Sequence, residues 1–175
     1  MAFRSYMDEA LGAARDAGAR GEVPVGAVLV GADGRVLAVC GNRTRELNDP
    51  TAHAEMLAIR EGCAAVASER LTGATLWVTL EPCAMCAGAI AAARIARVCY
   101  GAGDPKSGGV AHGARVFSHP QCHHVPEVVE GIAAEASEEM LRAFFADRRR
   151  PDRTQAHPDG RRRSGKAENG AAGED

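Results

Sequence analysis

Two short stretches of sequence organise this chain, TAHAE at residues 51–55 and EPCAMC at residues 81–86. Together they supply one imidazole, two thiols and, two residues after the imidazole, a carboxylate that need not be a metal ligand. The four side chains are those of His53, Glu55, Cys83 and Cys86. One nitrogen and two sulfur ligands would fill three corners of a zinc tetrahedron and leave the fourth for water, which is the catalytic rather than the structural arrangement. The sequence therefore predicts a zinc enzyme.

The spacing of the two cysteines supports a metal site. Cys83 and Cys86 are three residues apart, so both sulfurs would share one face of a helix that begins near Pro82. The positive end of that helix would favour thiolate over thiol. A lone C-x-x-C is also typical of a redox pair or of two buried thiols, but the upstream histidine and glutamate favour a metal. The remaining cysteines lack paired spacing, which indicates core or incidental positions: Cys40, Cys63, Cys99 and Cys122.

Composition limits the classes of protein to which the chain can belong. Its 175 residues are 46% hydrophobic, which predicts one domain with a sizeable core, and its net charge of −2 argues neither for nor against nucleic acid. No apolar run approaches the roughly 20 residues of a membrane span, so no membrane partner is expected. The N-terminal residues lack the apolar core of a signal peptide. We therefore expect a cytoplasmic protein with reduced thiols.

Hydrophobic periodicity predicts alternating helices and strands. Helices are expected at residues 5–20, 53–63, 83–93 and 137–148, the last with Ser137 as its N-cap. Strands are expected at residues 25–30, 36–40, 74–79, 97–101 and 122–129. The alternation favours an α/β sandwich with a central sheet. Residues 1–150 are expected to form this domain, and residues 151–175 are expected to be a disordered tail because they cannot bury enough apolar surface.

The same motifs carry a resemblance to a known family. Zinc deaminases of nucleobases share the signature H-x-E…P-C-x-x-C, which is present here as HAE at residues 53–55 and PCAMC at residues 82–86. Other matching stretches are EVPVGAVLV at 22–30, NR at 42–43, DPTAHAE at 49–55, VTLEPCAMCAGA at 78–89 and RIARV at 94–98. Over roughly residues 5–150 the chain resembles the bacterial tRNA-specific adenosine deaminases of the cytidine and deoxycytidylate deaminase superfamily.

The resemblance implies a fold, an activity and a cofactor. The fold is the cytidine deaminase-like three-layer sandwich, with a central five-stranded mixed sheet and helices on both faces. The activity is zinc-dependent hydrolysis of adenosine to inosine at the first anticodon position of tRNA, with release of ammonia. One Zn2+ per subunit would be held by His53, Cys83 and Cys86, and Glu55 would shuttle protons from the attacking water to the ring nitrogen and the departing ammonia. A homodimer that binds the tRNA anticodon loop across the subunit junction is also implied.

Residues that bind the target nucleoside follow from the resemblance as well. Asn42 would contact the flipped nucleoside, and Val25 and Leu80 would wall its pocket, although both apolar residues are equally typical of an ordinary core. Asp104 and Lys106 match the family's loop beside the nucleotides that flank the target. An aspartate there suits a ribose hydroxyl, which distinguishes RNA from DNA.

The match weakens after residue 110, where three further residues are implicated in substrate binding. His123 stands where the family usually has an asparagine. Phe145 and Arg149 belong to a segment that resembles the family's closing helix, in which an aromatic ring beside an arginine run suits unpaired bases and phosphates. A second metal site is a weaker hypothesis, built on His119, Cys122, His123 and His124.

Zinc chemistry alone does not choose the substrate, so three alternatives stay open. A free-base or nucleoside deaminase, for guanine or cytosine, would act on small molecules and be indifferent to salt. A non-catalytic RNA-binding partner subunit would keep the fold without the proton shuttle, and the presence of Glu55 argues against it. A zinc-stabilised structural module would close its fourth coordination position, and a set of three ligands argues against that.

Overall fold

Helices alternate with strands along residues 4–148, which are the residues that the computed structural model describes. The helices are α1 (Met7–Ala19), α2 (Ala54–Val66), α3 (Ala84–Ala92) and α4 (Ala134–Arg148), with one 3-10 turn at Val116–Ser118. The strands are β1 (Gly26–Val30), β2 (Val36–Gly41), β3 (Thr75–Leu80), β4 (Arg97–Ala102) and β5 (Glu127–Val129). Arg149, the domain boundary near residue 150 and the predicted tail lie outside the described residues.

The five strands form one mixed sheet in the order β2-β1-β3-β4-β5. β1 runs antiparallel to β2 and β3, whereas β3, β4 and β5 run parallel to one another. α1 and α4 pack on one face of the sheet, and α2 and α3 lie on the other. The predicted three-layer α/β sandwich with a central five-stranded mixed sheet is therefore confirmed. No helix within residues 4–148 has the length and apolarity needed to cross a membrane.

Two apolar clusters hold the layers together, because successive side chains of a strand point to opposite faces. In β3, Leu76 and Val78 join the cluster under α2 and α3, while Trp77 joins the cluster under α1. Trp77 meets Tyr6 there, with ring centroids 6.1 Å apart. α2 and α3 contribute mainly alanine to their cluster, which allows a close approach of helix to sheet, whereas α1 contributes Met7 and Leu11 beside Ala10.

Two element boundaries near the C-terminus differ from the sequence expectation. α4 begins at Ala134, so Ser137 is not an N-cap. It is buried within the helix, and its hydroxyl donates a hydrogen bond to the Ala133 carbonyl at 3.2 Å, the local bond that a serine makes inside a helix. β5 begins only at Glu127, because Pro126 has no N–H to add to the ladder.

Candidate active site

Two helix N-termini meet near the carboxyl end of β3. His53 is the N-cap residue of α2 and Cys83 is the N-cap residue of α3, both in extended backbone conformations. Neither side chain caps its own helix, so the imidazole and the thiol face each other instead. Cys86 lies in the first turn of α3. Pro82 precedes the N-cap rather than opening the helix, so α3 begins at Ala84, one residue after the predicted start at residue 83.

The three predicted ligand side chains form a group whose geometry fits zinc. His53 Nδ1 lies 3.7 Å from Cys83 Sγ and 3.5 Å from Cys86 Sγ, and the three atoms lie within 4.8 Å of one another. A tetrahedral zinc ion with ordinary bond lengths separates a nitrogen ligand from a sulfur ligand by about 3.6 Å. Both the donor set and its spacing therefore match a zinc site with an open fourth position.

A second metal site does not form within residues 4–148, where the group at His53 is the only such cluster. Two histidines of the other predicted cluster make separate hydrogen bonds. His119 Nδ1 accepts the Gln121 N–H at 3.2 Å, and His124 Nε2 lies 2.6 Å from the Ile95 carbonyl oxygen. These contacts tie down the segment before β5.

Cys83 carries the most acidic thiol of the zinc group. Hydrogen bonds from Cys86 and His53 lower its pKa to about 4, although burial acts in the opposite direction. The hydrogen bonds to Cys83 in turn raise the pKa of the His53 imidazole and of the Cys86 thiol. Of the two thiols, Cys83 therefore loses its proton first, at a lower pH than Cys86. A divalent cation would displace the Cys86 proton, because cysteine binds metals as thiolate.

Glu55 is a buried carboxyl group rather than a surface charge. Its residue is 3% exposed, and it lines the same cavity as His53 and Cys83. Burial raises the pKa of the Glu55 carboxyl, and a backbone hydrogen bond and the charge of His53 oppose that effect. A raised pKa makes a carboxyl group a stronger base when ionised, which suits the acceptance of a proton in general acid–base catalysis.

A cavity of about 190 Å³ opens in front of these groups. Its walls include four of the residues predicted to bind substrate: Val25, Asn42, Leu80 and Asp104. Asn42 is buried, and its side-chain oxygen accepts the Ala54 N–H at 2.8 Å. That bond uses the amide oxygen at the start of α2, so the amide N–H groups are the ones available to a ligand.

A larger cavity of about 580 Å³ adjoins the first and shares Val23, Leu80 and Asp104 with it. Lys106 and Phe145, two further residues predicted to bind substrate, line this second cavity. Asp104 Oδ1 accepts the Lys106 and Ser107 N–H groups, both at 3.0 Å, so that oxygen holds the turn of its own loop. Oδ2 is the carboxylate oxygen left for other contacts.

The structure separates His123 from these two cavities. His123 lines a third cavity of about 430 Å³, next to α3, and its carbonyl accepts a hydrogen bond from Arg94 at 2.8 Å. The predicted contact of His123 with substrate would therefore be made outside the zinc cavity.

Sequence reasoning missed two residues of this region. Arg148, the last residue of α4, lines the second cavity and stacks over the Phe144 ring at 4.3 Å. Glu81 lines the zinc cavity with a buried carboxylate. The basic run after Phe145 was a usable signal for Arg148. Glu81 stands inside the quoted EPCAMC motif, but its spacing gives no sign of what it contacts.

Comparison with known proteins identifies the family. Residues 2–102 match the model for the cytidine and deoxycytidylate deaminase zinc-binding region. The chain is 60% identical over 147 residues to the tRNA-specific adenosine deaminase of Agrobacterium fabrum, an alignment that covers 84% of this chain and 96% of that protein. The chain belongs to the tRNA-specific adenosine deaminase family. A member of this family is a hydrolytic deaminase with one zinc ion per subunit, in agreement with the His53, Cys83 and Cys86 group.

Solved structures agree with this assignment. One solved structure comes from a study of A-to-I editing by tRNA:A34 deaminases at the wobble position of transfer RNA. Its sequence is 61% identical to this chain. It superposes with a TM-score of 0.76 and covers 77% of this chain and 97% of its own. A guanine deaminase from Bacillus subtilis is 30% identical, with a TM-score of 0.58 and coverage of 85% and 94%. The likeness to the tRNA deaminase is thus stronger than the likeness to the free-base deaminase.

Proposed function

We propose that this protein deaminates adenosine to inosine at the first anticodon, or wobble, position of tRNA. The observation that carries the proposal is the convergence of the zinc group, the buried Glu55 carboxyl and the Asn42 amide on one small cavity that adjoins a larger one. The 60% identity to a tRNA-specific adenosine deaminase supports the choice of base and of polymer.

Glu55 is the group that moves the protons in this proposal. Zinc held by His53, Cys83 and Cys86 supplies Lewis acidity that lowers the pKa of water toward about 7. The Glu55 carboxylate accepts a proton from the attacking water and delivers it to N1 of the adenine ring. It then takes the remaining water proton from the hydroxyl group on C6 and passes it to the amino group, which leaves as ammonia. The water oxygen remains on C6 as the carbonyl oxygen of inosine, so atoms and protons balance.

The walls of the zinc cavity would orient the target base. The Asn42 amide N–H groups are free to donate to an acceptor of the nucleoside, since the amide oxygen is held by Ala54. Val25 and Leu80 add apolar surface to the cavity walls, which suits a flat aromatic base. An unpaired anticodon base can enter such a cavity without the cost of breaking a base pair.

The second cavity favours a polymer over a free base. Lys106, Arg142 and Arg148 bring three cationic side chains to its walls, which suits phosphates. Phe145 is 45% exposed and offers a ring on which an unpaired base can stack. A free guanine or cytosine would fill only the smaller cavity and leave these groups unused. Asp104 Oδ2, between the two cavities, suits a ribose hydroxyl.

A homodimer and further contacts with the anticodon loop belong to the same proposal. Apart from Met85, the exposed residues of α3 are small, and a side chain at Gly88 would meet no heavy atom within 4 Å. Met85 on the same helix is 36% exposed. This surface, with the His123 cavity beside it, suits a second subunit that completes the binding of the loop. Arg149 would add a phosphate contact, and a tRNA substrate favours a cytoplasmic location.

An anticodon stem-loop with adenosine at its first position tests the proposed function. Zinc-loaded protein should form inosine, measured by mass spectrometry, and a stem-loop with guanosine at that position should remain unchanged. The rate at low substrate concentration should fall steeply between 50 and 200 mM salt, as expected of a site that contacts several phosphates. Ammonia from free guanine or cytosine, without inosine in the RNA, would refute the tRNA assignment and keep the deaminase chemistry.

A further inference from the structure

Glu81 holds a loop against the zinc site through both oxygens of its carboxylate. Its residue is 2% exposed. Oε1 accepts the N–H groups of Val110, Ala111 and His112 at 3.1, 2.8 and 2.9 Å. Oε2 accepts the Asp104 N–H at 2.9 Å and lies 2.6 Å from His112 Nδ1. One buried carboxylate thus gathers both ends of the segment 104–112.

The loop approaches the metal-binding turn too closely for side chains at its glycines. A Cβ atom on Gly108 would lie 2.5 Å from the carboxyl carbon of Glu81, and one on Gly109 would lie 2.5 Å from the Ala84 nitrogen. The Gly109 N–H also donates to the Pro82 carbonyl at 2.8 Å. The segment therefore rests directly on the turn that carries Cys83, and the Gly-rich composition of this loop has a steric cause.

We propose that Glu81 and His112 form an anchor that sets the position of Asp104 and so makes the enzyme select a ribose-containing substrate. Asp104 lines both cavities. Its N–H is fixed by Glu81 Oε2 and its Oδ1 by the turn at Lys106, which leaves Oδ2 aimed by a rigid backbone. The selection of ribose at this site rests on the proposed function with an RNA substrate. The hydrogen bonds of the anchor exist independently of that function.

Glu81 is a positioning residue in this proposal, because it acts through Asp104. A carboxylate oxygen accepts a ribose hydroxyl well only if its distance and direction are held, since hydrogen bonds weaken steeply when they are bent. Release of the loop would lower the affinity for RNA and the preference for a ribose over a deoxyribose at the contacted nucleotide. The rate of the chemical step on bound substrate should change little.

The substitution Glu81→Gln tests the anchor without any assay of activity. The glutamine oxygen can keep the three bonds made by Oε1, while its amide group faces the Asp104 N–H and cannot accept it. In the zinc-loaded full chain, we expect amide exchange measured by NMR to become at least about tenfold faster at Asp104 and to change less at Val110 and Ala111. His112→Ala should act in the same direction, and His119→Ala, on a neighbouring exposed segment, should leave the Asp104 amide unchanged.

Kinetics with Asp104→Asn then test the link to the substrate. This variant keeps an oxygen for the turn and replaces the free oxygen by an amide group. Each single variant should raise KM for the anticodon stem-loop roughly tenfold, with kcat per bound zinc within about threefold of wild type. The double variant should match Asp104→Asn alone, because two residues that act through one contact are not additive. Each variant should also lose preference for ribose over a 2′-deoxy substitution at the contacted nucleotide.

Two results would overturn the anchor. One is an Asp104 amide that stays as protected in Glu81→Gln and His112→Ala as in wild type. The other is a double variant whose KM is the product of the two single effects, which would show that Glu81 does not act through Asp104. Failure of the wild-type protein to form inosine would refute the proposed function instead, and the exchange measurement would still decide whether the anchor exists.

Discussion

His53 and Cys83 occupy equivalent places in the fold, since each is the N-cap residue of a helix, and their ligand atoms lie 3.7 Å apart. The partial positive charge of a helix N-terminus favours an anion there. The lowered pKa of the Cys83 thiol, about 4, agrees in direction with this effect. Because the two ligands belong to helices that pack on the same face of the sheet, the zinc site is held by the core of the domain.

Replacement of Glu55 by glutamine should separate proton transfer from metal binding. The substitution keeps the size of the side chain and removes its capacity to carry a proton. We expect inosine formation to fall by about 10²–10⁴-fold. Zinc should remain at one ion per chain, because Glu55 is not part of the ligand group. Single-turnover kinetics and metal analysis of the same sample check both points, and loss of zinc from the variant would contradict this assignment of roles.

Substitution of Cys86 by serine should remove zinc and the stability that zinc contributes. Cys86 is fully buried beside His53 Nδ1, and its thiolate is one of three ligands. We expect a chelator to lower the melting temperature of the wild type but to have little effect on Cys86→Ser. Cys63→Ser is the control, since Cys63 is only partly buried and lies outside the ligand group. An equal chelator effect on wild type and Cys86→Ser would contradict the prediction.

Glu22 should contribute to stability at neutral pH and lose that contribution in acid. Its buried carboxylate accepts the Thr44 hydroxyl at 3.1 Å and the N–H groups of Arg45 and Glu46, both at 2.9 Å. Burial opposes ionisation, but these hydrogen bonds outweigh it and lower the pKa of the carboxyl from its ordinary 4.5. A lowered pKa stabilises the fold above the unfolded value of 4.5, and this stabilisation is lost as the pH falls through the folded value.

Glu22→Gln should therefore lower the free energy of unfolding by about 1–3 kcal/mol at neutral pH. The difference from wild type should shrink as the pH falls below about 4.5. Urea denaturation at a series of pH values measures this difference. Glu138→Gln is the control, since its side chain is 54% exposed and its nearest cation, on Arg142, is 3.8 Å away. If the free energies of unfolding of Glu22→Gln and wild type differ by the same amount at every pH into the acid range, the role of this carboxylate is disproved.

Two glycine-to-alanine substitutions should change stability in opposite directions. Gly12 lies inside α1, and a Cβ atom there would meet no heavy atom within 4 Å, so Gly12→Ala should stabilise by about 0.5–1 kcal/mol through helix propensity. A Cβ atom on Gly26 would lie 2.0 Å from the Ala10 carbonyl oxygen, where α1 crosses β1. We expect Gly26→Ala to destabilise by at least about 3 kcal/mol, since backbone must move. Melting curves of both variants check the pair, and a Gly26→Ala protein as stable as wild type would contradict the close packing.

Much of the fold and the centre of the site could be predicted because their signals are local. The spacing of Cys83 and Cys86 places two sulfurs at one helix start, and the H-x-E pattern separates a ligand from a proton carrier within three residues. Within residues 4–148, each of the five strands and four helices overlaps a segment predicted from apolar periodicity and local start and turn signals. Ser137 shows the limit of such reasoning: its residue type suited an N-cap, but burial drew it into the helix interior.

Tertiary structure alone decided which distant groups meet. Glu81 binds N–H groups 23 to 31 residues later in the chain, because the parallel pairing of β3 and β4 returns the loop after β4 to the end of β3. The same pairing places Asp104 between the two cavities, whereas His123 lies beside a different one. Sequence spacing therefore determined the chemistry of the zinc group. The contacts that shape the substrate cavity depend on non-local packing, which has no period along the chain.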